Sequence, residues 1–244
     1  MKKNIMGINL NYVDYGVEDG NTILLIHGWG QNIEMMKGIG DSFSKEYRIV
    51  IIDLPGFGKS SVPEFAWNVS DYVECIKLFL EELKIDKLII AGHSYGGKIG
   101  LLYASKYEVE KLILFGSPFK KEIKNLSLKT KILKQLKKVP GLNKLEGFAK
   151  KHIGSEDYRN ATPLMRETLV NTVNLDITEE IKKIKASALI IWGTNDEAVP
   201  VERAYELEKL IADAGVVIFE GCTHYAYLER LKQTINVMRI FLES

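Results

Sequence analysis

A serine set between glycines opens the chemical reading. Gly92-His93-Ser94-Tyr95-Gly96-Gly97 directly follows the apolar run Leu88–Ala91 and directly precedes the helical run Lys98–Ser105. A G-x-S-x-G between a strand and a helix lifts the serine oxygen onto a sharp, strained turn. The glycines two before and two after Ser94 let neighbouring backbone and helix approach without Cβ clashes. The helix behind Ser94 aims amide donors and the positive end of its dipole at any oxyanion formed there. The flanking strand and helix favour this role over a Gly/Ser loop that only turns the chain.

A serine hydroxyl is a weak nucleophile at neutral pH. It needs a base within hydrogen-bond reach and a third group to hold the base's tautomer. Of four histidines, only His224, in Gly221-Cys222-Thr223-His224, lies after the last apolar run; a capping or surface histidine is its other reading. Asp196 follows the Ile190–Trp192 run in Gly193-Thr194-Asn195-Asp196, a turn that suits a carboxylate aimed across a sheet edge. Glu197 is its neighbouring rival, and an Asx bond that merely stabilises the turn is the alternative role of Asp196.

These residues need a frame, and the apolar pattern supplies one. Residues 4–15 read as two short strands joined at Gly7, with Ile8, Leu10 and Tyr12 on one face, an antiparallel edge. The runs Thr22–Ile26, Arg48–Ile52, Lys87–Ala91, Lys111–Phe115, Ala188–Trp192 and Val216–Phe219 are short, continuous and rich in β-branched residues and Leu, as in a parallel sheet buried on both faces. Helical patterns lie near 33–45, 70–84, 95–106 and 201–213, with a last one near 226–242. This alternation predicts a doubly wound α/β sheet.

One interval breaks the rhythm. Between Phe115 and Ala188 the periodicity is helical with no convincing strand; Ile123, Leu126, Ile132, Leu133, Leu136, Leu142, Leu145 and Phe148 fit short amphipathic helices broken at Pro140-Gly141. Residues 119–184 are therefore expected to form a helical cap over the carboxyl edge of the sheet, inserted in a core made of 1–118 and 185–244. Residues 119–151 carry eleven lysines against Glu122 and Glu146, so this segment is basic and the rest of the chain acidic. Such a surface suits an acidic acyl carrier protein, an anionic small substrate or an anionic membrane. A solvated helical face explains it more simply, because the lysines interleave with an ordinary apolar stripe.

Composition bounds the rest. The 244 residues carry 33 Lys+Arg against 32 Asp+Glu, a net charge of +1 that excludes a globally basic nucleic-acid binder. With 46% hydrophobic and 27% charged residues, the chain reads as one folded domain. Two cysteines, Cys75 and Cys222, lack the spacing of a disulfide framework or zinc site. The polar residues Asn4, Asn9, Asn11 and Asp14 interrupt any signal-like stretch, and no window approaches the ~18 consecutive apolar residues of a membrane span. A cytoplasmic protein with no stable membrane insertion is expected.

Four segments together resemble the α/β-hydrolase family, and the resemblance covers nearly the whole chain. They are His27-Gly28-Trp29-Gly30 after the first buried strand, Asp53-Leu54-Pro55-Gly56-Phe57-Gly58-Lys59-Ser60 after the next, and the Asp196 and His224 turns, in the order Ser…Asp…His. The resemblance implies a triad of Ser94 as nucleophile, His224 as base and Asp196 as orienter, with structural or pocket-shaping roles for His27, His93 and Asp53. It implies an oxyanion hole made by the backbone N–H groups of Trp29 and Tyr95. The Trp29 and Tyr95 rings would then line the acyl pocket or belong to the core. The expected reaction is hydrolysis of a small ester or thioester with no cofactor. The alternatives are a C–C bond hydrolase on the same triad and a ligand receptor that retains it. Some segments are similar to those of methyl esterases acting on acyl-carrier-linked esters, but the likeness is shared too widely to name a substrate.

Overall fold

The computed structural model describes residues 1–18, 20–121 and 156–244. Among them, strands β1 (Lys2–Ile5), β2 (Ile8–Gly16), β3 (Thr22–Ile26), β4 (Arg48–Ile52), β5 (Leu88–His93), β6 (Lys111–Phe115), β7 (Ser187–Gly193) and β8 (Ala214–Phe219) form one sheet. Its order is β1-β2-β4-β3-β5-β6-β7-β8. β1 pairs antiparallel with β2 and β2 with β4, and every other pairing is parallel. The expected antiparallel edge and parallel centre are both present. β8 begins two residues earlier than its apolar run, because Ala214 and Gly215 pair with Ala188 and Leu189 of β7.

The continuous apolar runs follow from burial on both faces. Leu24, Ile26, Val50 and Ile52 pack on one side with α2 (Val69–Glu82) and α3 (Tyr95–Ala104). Ile23, Leu25, Ile49 and Ile51 pack on the other with α1 (Glu34–Phe43) and the C-terminal helix. Successive side chains in a strand point to opposite faces, so these strands present apolar side chains to both helical layers. α2 starts at a capping box: Asn68 Oδ1 accepts from Ser70 and Asp71 N–H, and the Asp71 carboxylate accepts from Asn68 N–H.

In the described part of the interval between β6 and β7 lie α4 (Glu156–Asn160), α5 (Pro163–Asn174) and α6 (Thr178–Ile181). Residues 122–155 lie outside the described residues. With them go the apolar stripe from Ile123 to Phe148, the break at Pro140-Gly141, His152 and every lysine of the basic segment except Lys120 and Lys121. After β7 come α7 (Glu202–Leu210), α8 (Ala226–Glu229) and α9 (Leu231–Glu243). The single helix expected over 226–242 is thus two. Arg230 leaves helical dihedrals (φ −120°, ψ 42°), while fully buried Tyr227 stacks on Phe115 at 4.9 Å and anchors α8 by itself.

Strand ends are tied together by buried polar groups. His27 donates through Nδ1 to Gly28 O (2.7 Å) and accepts Leu54 N–H at Nε2 (3.0 Å), joining the ends of β3 and β4. Asp53 accepts from Ile33 N–H, Lys59 N–H and Asn11 Nδ2, which sets the loops around it. Burial lowers the His27 pKa to about 4, so the ring stays neutral with one donor and one acceptor. The unfolded chain takes up this proton near pH 6.5 and the folded chain does not, so stability falls as the pH drops from about 6.5 towards 4. The span corresponds to roughly 3 kcal/mol for this one group. Urea unfolding at pH 7 and pH 5 checks this: the midpoint should be lower at pH 5, and an unchanged midpoint would contradict a neutral buried His27.

Candidate active site

The topology reverses between β3 and β5. From β3 the chain moves outward to β4, and it then returns to lay β5 on the other side of β3. Open α/β sheets bind ligands outside the carboxyl ends of their strands at such a point. The His27–Gly30 loop leaves β3 there and Ser94 leaves β5. Gly116 follows β6, Asp196 follows β7 and His224 follows β8, so all the predicted positions fall on one edge.

Ser94 stands on a strained turn, with φ 50° and ψ −114°. Non-glycine residues pay about 1–3 kcal/mol for such dihedrals, so the surroundings must impose them. Ser94 N–H donates to Phe115 O (2.8 Å) and Ser94 O accepts from Lys98 N–H (3.1 Å), which pins both sides of the turn. Glycine is required around it. A Cβ on Gly92 would lie 2.6 Å from the Gly96 backbone, and one on Gly96 would lie 2.3 Å from Ile26 O and 2.5 Å from His27 O. α3 can therefore begin against the end of β3 only because these positions carry no side chain.

His224 Nδ1 donates to Asp196 Oδ2 at 2.7 Å. The other carboxylate oxygen, Oδ1, accepts from Ala198 and Val199 N–H, each at 2.8 Å, so Asp196 both shapes its turn and faces the imidazole. The Asp196 side chain is fully buried, whereas Glu197 is exposed. Thr223, just before His224, donates its hydroxyl and its N–H to the Glu229 carboxylate, which ties the loop to α8.

Ser94 and His224 line one cleft of about 820 Å³, together with Trp29, Gln31, His93 and Tyr225. Among the described residues no hydrogen bond joins Ser94 Oγ to the His224 ring. Catalytic hydrogen bonds are often long without substrate and tighten when it binds. The backbone N–H groups of Trp29 and Tyr95 donate to no acceptor among the described residues. The Trp29 ring is partly buried and lines the cleft. Tyr95 is buried, with its ring edge-on to Trp29 and Tyr72 at 5.4 Å, so it is mainly a core residue that reaches the adjoining pocket.

Three participants escaped the sequence reading. Gly116 has φ 53°, and a Cβ there would lie 3.0 Å from His224 Nδ1, so only glycine leaves the His224–Asp196 pair its room. Its signal was the Gly116-Ser117-Pro118 turn directly after an apolar run. Gln31 accepts Gly28 N–H at Oε1 (2.9 Å) and faces His93 Nδ1 at 3.2 Å. His93 in turn donates from Nε2 to the carbonyl of His224 (3.1 Å). Burial, and then the charge of His224, pushes the His93 pKa well below the ordinary histidine value. The third is Lys98, one turn beyond Ser94 and buried.

Fold and edge geometry together define an α/β hydrolase. The family model described as alpha/beta hydrolase fold matches residues 21–143, and the chain belongs to that family. It is 27% identical to a 2-hydroxy-6-oxononadienedioate/2-hydroxy-6-oxononatrienedioate hydrolase of Escherichia coli, over 91% of this chain and 86% of that one. It is 25% identical to a pimeloyl-[acyl-carrier protein] methyl ester esterase of Aliivibrio fischeri, over 93% of this chain and 95% of that one. Its fold is similar to the enol-lactonase of Burkholderia xenovorans, with a TM-score of 0.79, 21% identity and 100% of both chains covered.

The glycine requirement at the turn is directly testable. Gly96→Ala should lower stability by on the order of 1–3 kcal/mol, since its methyl would meet two backbone carbonyls that cannot swing away. Gly215→Ala, where nothing lies within 4 Å, should stay within about 0.5 kcal/mol of the parent. Thermal unfolding of the two variants compares them, and equal melting temperatures would contradict the close approach of α3 to β3.

Proposed function

We propose that this chain is a serine hydrolase that cleaves a carboxylic ester or thioester through an acyl-enzyme. The observation that carries the reading is the 2.7 Å His224–Asp196 hydrogen bond, set on the same cleft as a serine held in a strained turn. With Nδ1–H committed to Asp196, the His224 tautomer leaves Nε2 as the free base.

His224 Nε2 takes the Ser94 proton as Oγ attacks the acyl carbon. The carbonyl oxygen becomes an oxyanion held by the Trp29 and Tyr95 N–H groups, at the N-terminus of α3. His224 then protonates the leaving alcohol or thiol as its bond to the acyl carbon breaks, and the acyl group stays on Ser94. Water, deprotonated by His224, attacks the acyl carbon; the C–Oγ bond breaks and Ser94 Oγ recovers its proton from the imidazolium. Asp196 stays ionised and keeps the ring oriented throughout.

A second reading is C–C bond hydrolysis by the same three side chains. The likeness to the Escherichia coli dienedioate hydrolase favours it, as does Lys121 in the lining of the pocket beside Ser94, a cation that suits a substrate carboxylate.

A fluorophosphonate probe should label Ser94, and Ser94→Ala should remove both the label and at least ~10³-fold of nitrophenyl-ester turnover, because triad members act as a unit. His224→Ala should do the same to turnover. Burial keeps His27 and His93 neutral, so neither substitutes for it as the titrating base. Sustained turnover by the Ser94→Ala variant would contradict a serine nucleophile. Turnover of 2-hydroxy-6-oxo-dienoates far above that of any ester would give first place to the second reading.

A further inference from the structure

Beside Ser94 lies a mainly apolar pocket of about 400 Å³. One wall is the nucleophile helix, through Tyr95 and Lys98, and the facing wall is α5, through Leu169, Val170, Thr172 and Val173. Lys98 joins the two. Its side chain is buried, with 2% of the residue exposed, and its Nζ donates to Thr172 O at 2.8 Å and to Leu175 O at 2.6 Å. Both acceptors belong to the C-terminal end of α5, where helix carbonyls lack intrahelical partners and the dipole is negative.

Among the described residues α5 supplies no cap of its own at that end. The residue after α5 is Leu175 in extended conformation rather than a left-handed glycine, and the last turn of α5 carries no basic residue of its own. A cation from another helix supplies the cap. It does so at a cost, because burial lowers the Lys98 pKa to about 8, opposed only by the charge of Asp176. A buried ammonium held mainly by carbonyls is a costly way to fasten a surface helix. It is economical if the helix must sit at a fixed distance from Ser94. Elsewhere, Trp67 N–H donates to Thr168 Oγ1 (3.1 Å) and Ile177 N–H donates to Phe119 O (3.0 Å), so among the described residues Lys98 is the hydrogen-bonded tie that runs from α5 to the nucleophile helix itself.

We propose that Lys98 is a specificity-determining positioning residue: by capping α5 from the helix that carries Ser94, it sets the width of the acyl pocket and so selects apolar acyl chains by length. This rests on the serine-hydrolase reading. Lys98 takes no part in bond making. Its effect should grow with the length of acyl chain lying along Leu169, Val170 and Val173 and be smallest for an acetyl group.

The test is the kcat/KM of nitrophenyl esters from acetate to decanoate for the parent, Lys98→Met, Lys98→Gln and Lys98→Arg, with unfolding temperatures and fluorophosphonate labelling of Ser94 measured alongside. Lys98→Met should lower kcat/KM for the best long-chain ester by 10-fold or more, mainly through KM, with acetate changed less than about threefold. Lys98→Arg, which keeps charge and donors, should recover most of the length preference. If Lys98→Met does not fold, Lys98→Gln, which keeps a neutral donor, carries the same comparison. Equal loss across the series, in whichever variant folds, would overturn the proposal by reducing Lys98 to a stability element. A half-ester of a dicarboxylic acid that suffered far more than the fatty ester of equal length would also overturn it, since Lys98 would then be an anion-binding group. Absence of labelling and of turnover in the parent would instead mark failure of the serine-hydrolase reading, which the variants leave untouched.

Discussion

The site depends on one close approach: the first turn of α3 lies against the last carbonyls of β3, at a distance no Cβ can enter. A methyl on Gly96 would sit 2.3 Å from Ile26 O, and a side chain on Gly97 would run into Ser117. This contact forces the chain from β5 into α3 within one residue, and Ser94 absorbs the reversal in its dihedrals. The strain is held by the sheet. Because β5 is flanked by β3 and β6, paired along its length and buried on both faces, the turn cannot relax without separating buried strands.

Around that turn, the loops are fixed to one another by buried polar groups. Gln31 holds the Gly28 N–H and faces His93, and His93 holds the His224 carbonyl, so the loops after β3, β5 and β8 share one chain of contacts. His27 and Asp53 do the same for the loops after β3 and β4. Burial holds the pKa of both histidines below the ordinary value, so His27 stays a donor to Gly28 O and an acceptor of Leu54 N–H, and His93 a donor to His224 O, rather than titrating groups. The three described histidines thus have unlike duties, and of them only His224 reaches the cleft with its ring on a carboxylate.

Much of this was legible in the sequence because it is written in short-range pattern. Continuous β-branched runs located the parallel strands, and the Ser94, Asp196 and His224 turns were each found directly after a strand. The resemblance to a known family arranged them in order. Gly116 escaped because its requirement is for room beside two side chains remote in sequence, which no local pattern encodes. The break at Arg230 escaped because the apolar period continues through it, whereas the anchor that separates α8 is a tertiary contact of Tyr227 with Phe115. Lys98 escaped for a similar reason. A lysine inside a helix reads as a solvated residue until the carbonyls of α5, more than seventy positions away, are seen to surround it.

The most direct measurement is the mass of the protein during turnover. Mixed with a nitrophenyl ester and quenched in acid within the first turnovers, the parent should carry one acyl group, mapped by peptide sequencing to Ser94, which disappears as substrate is exhausted. The accumulation and decay of this adduct would be the acyl-enzyme itself. Turnover with no adduct at any quench time, or an adduct on a residue other than Ser94, would contradict a covalent mechanism through this turn.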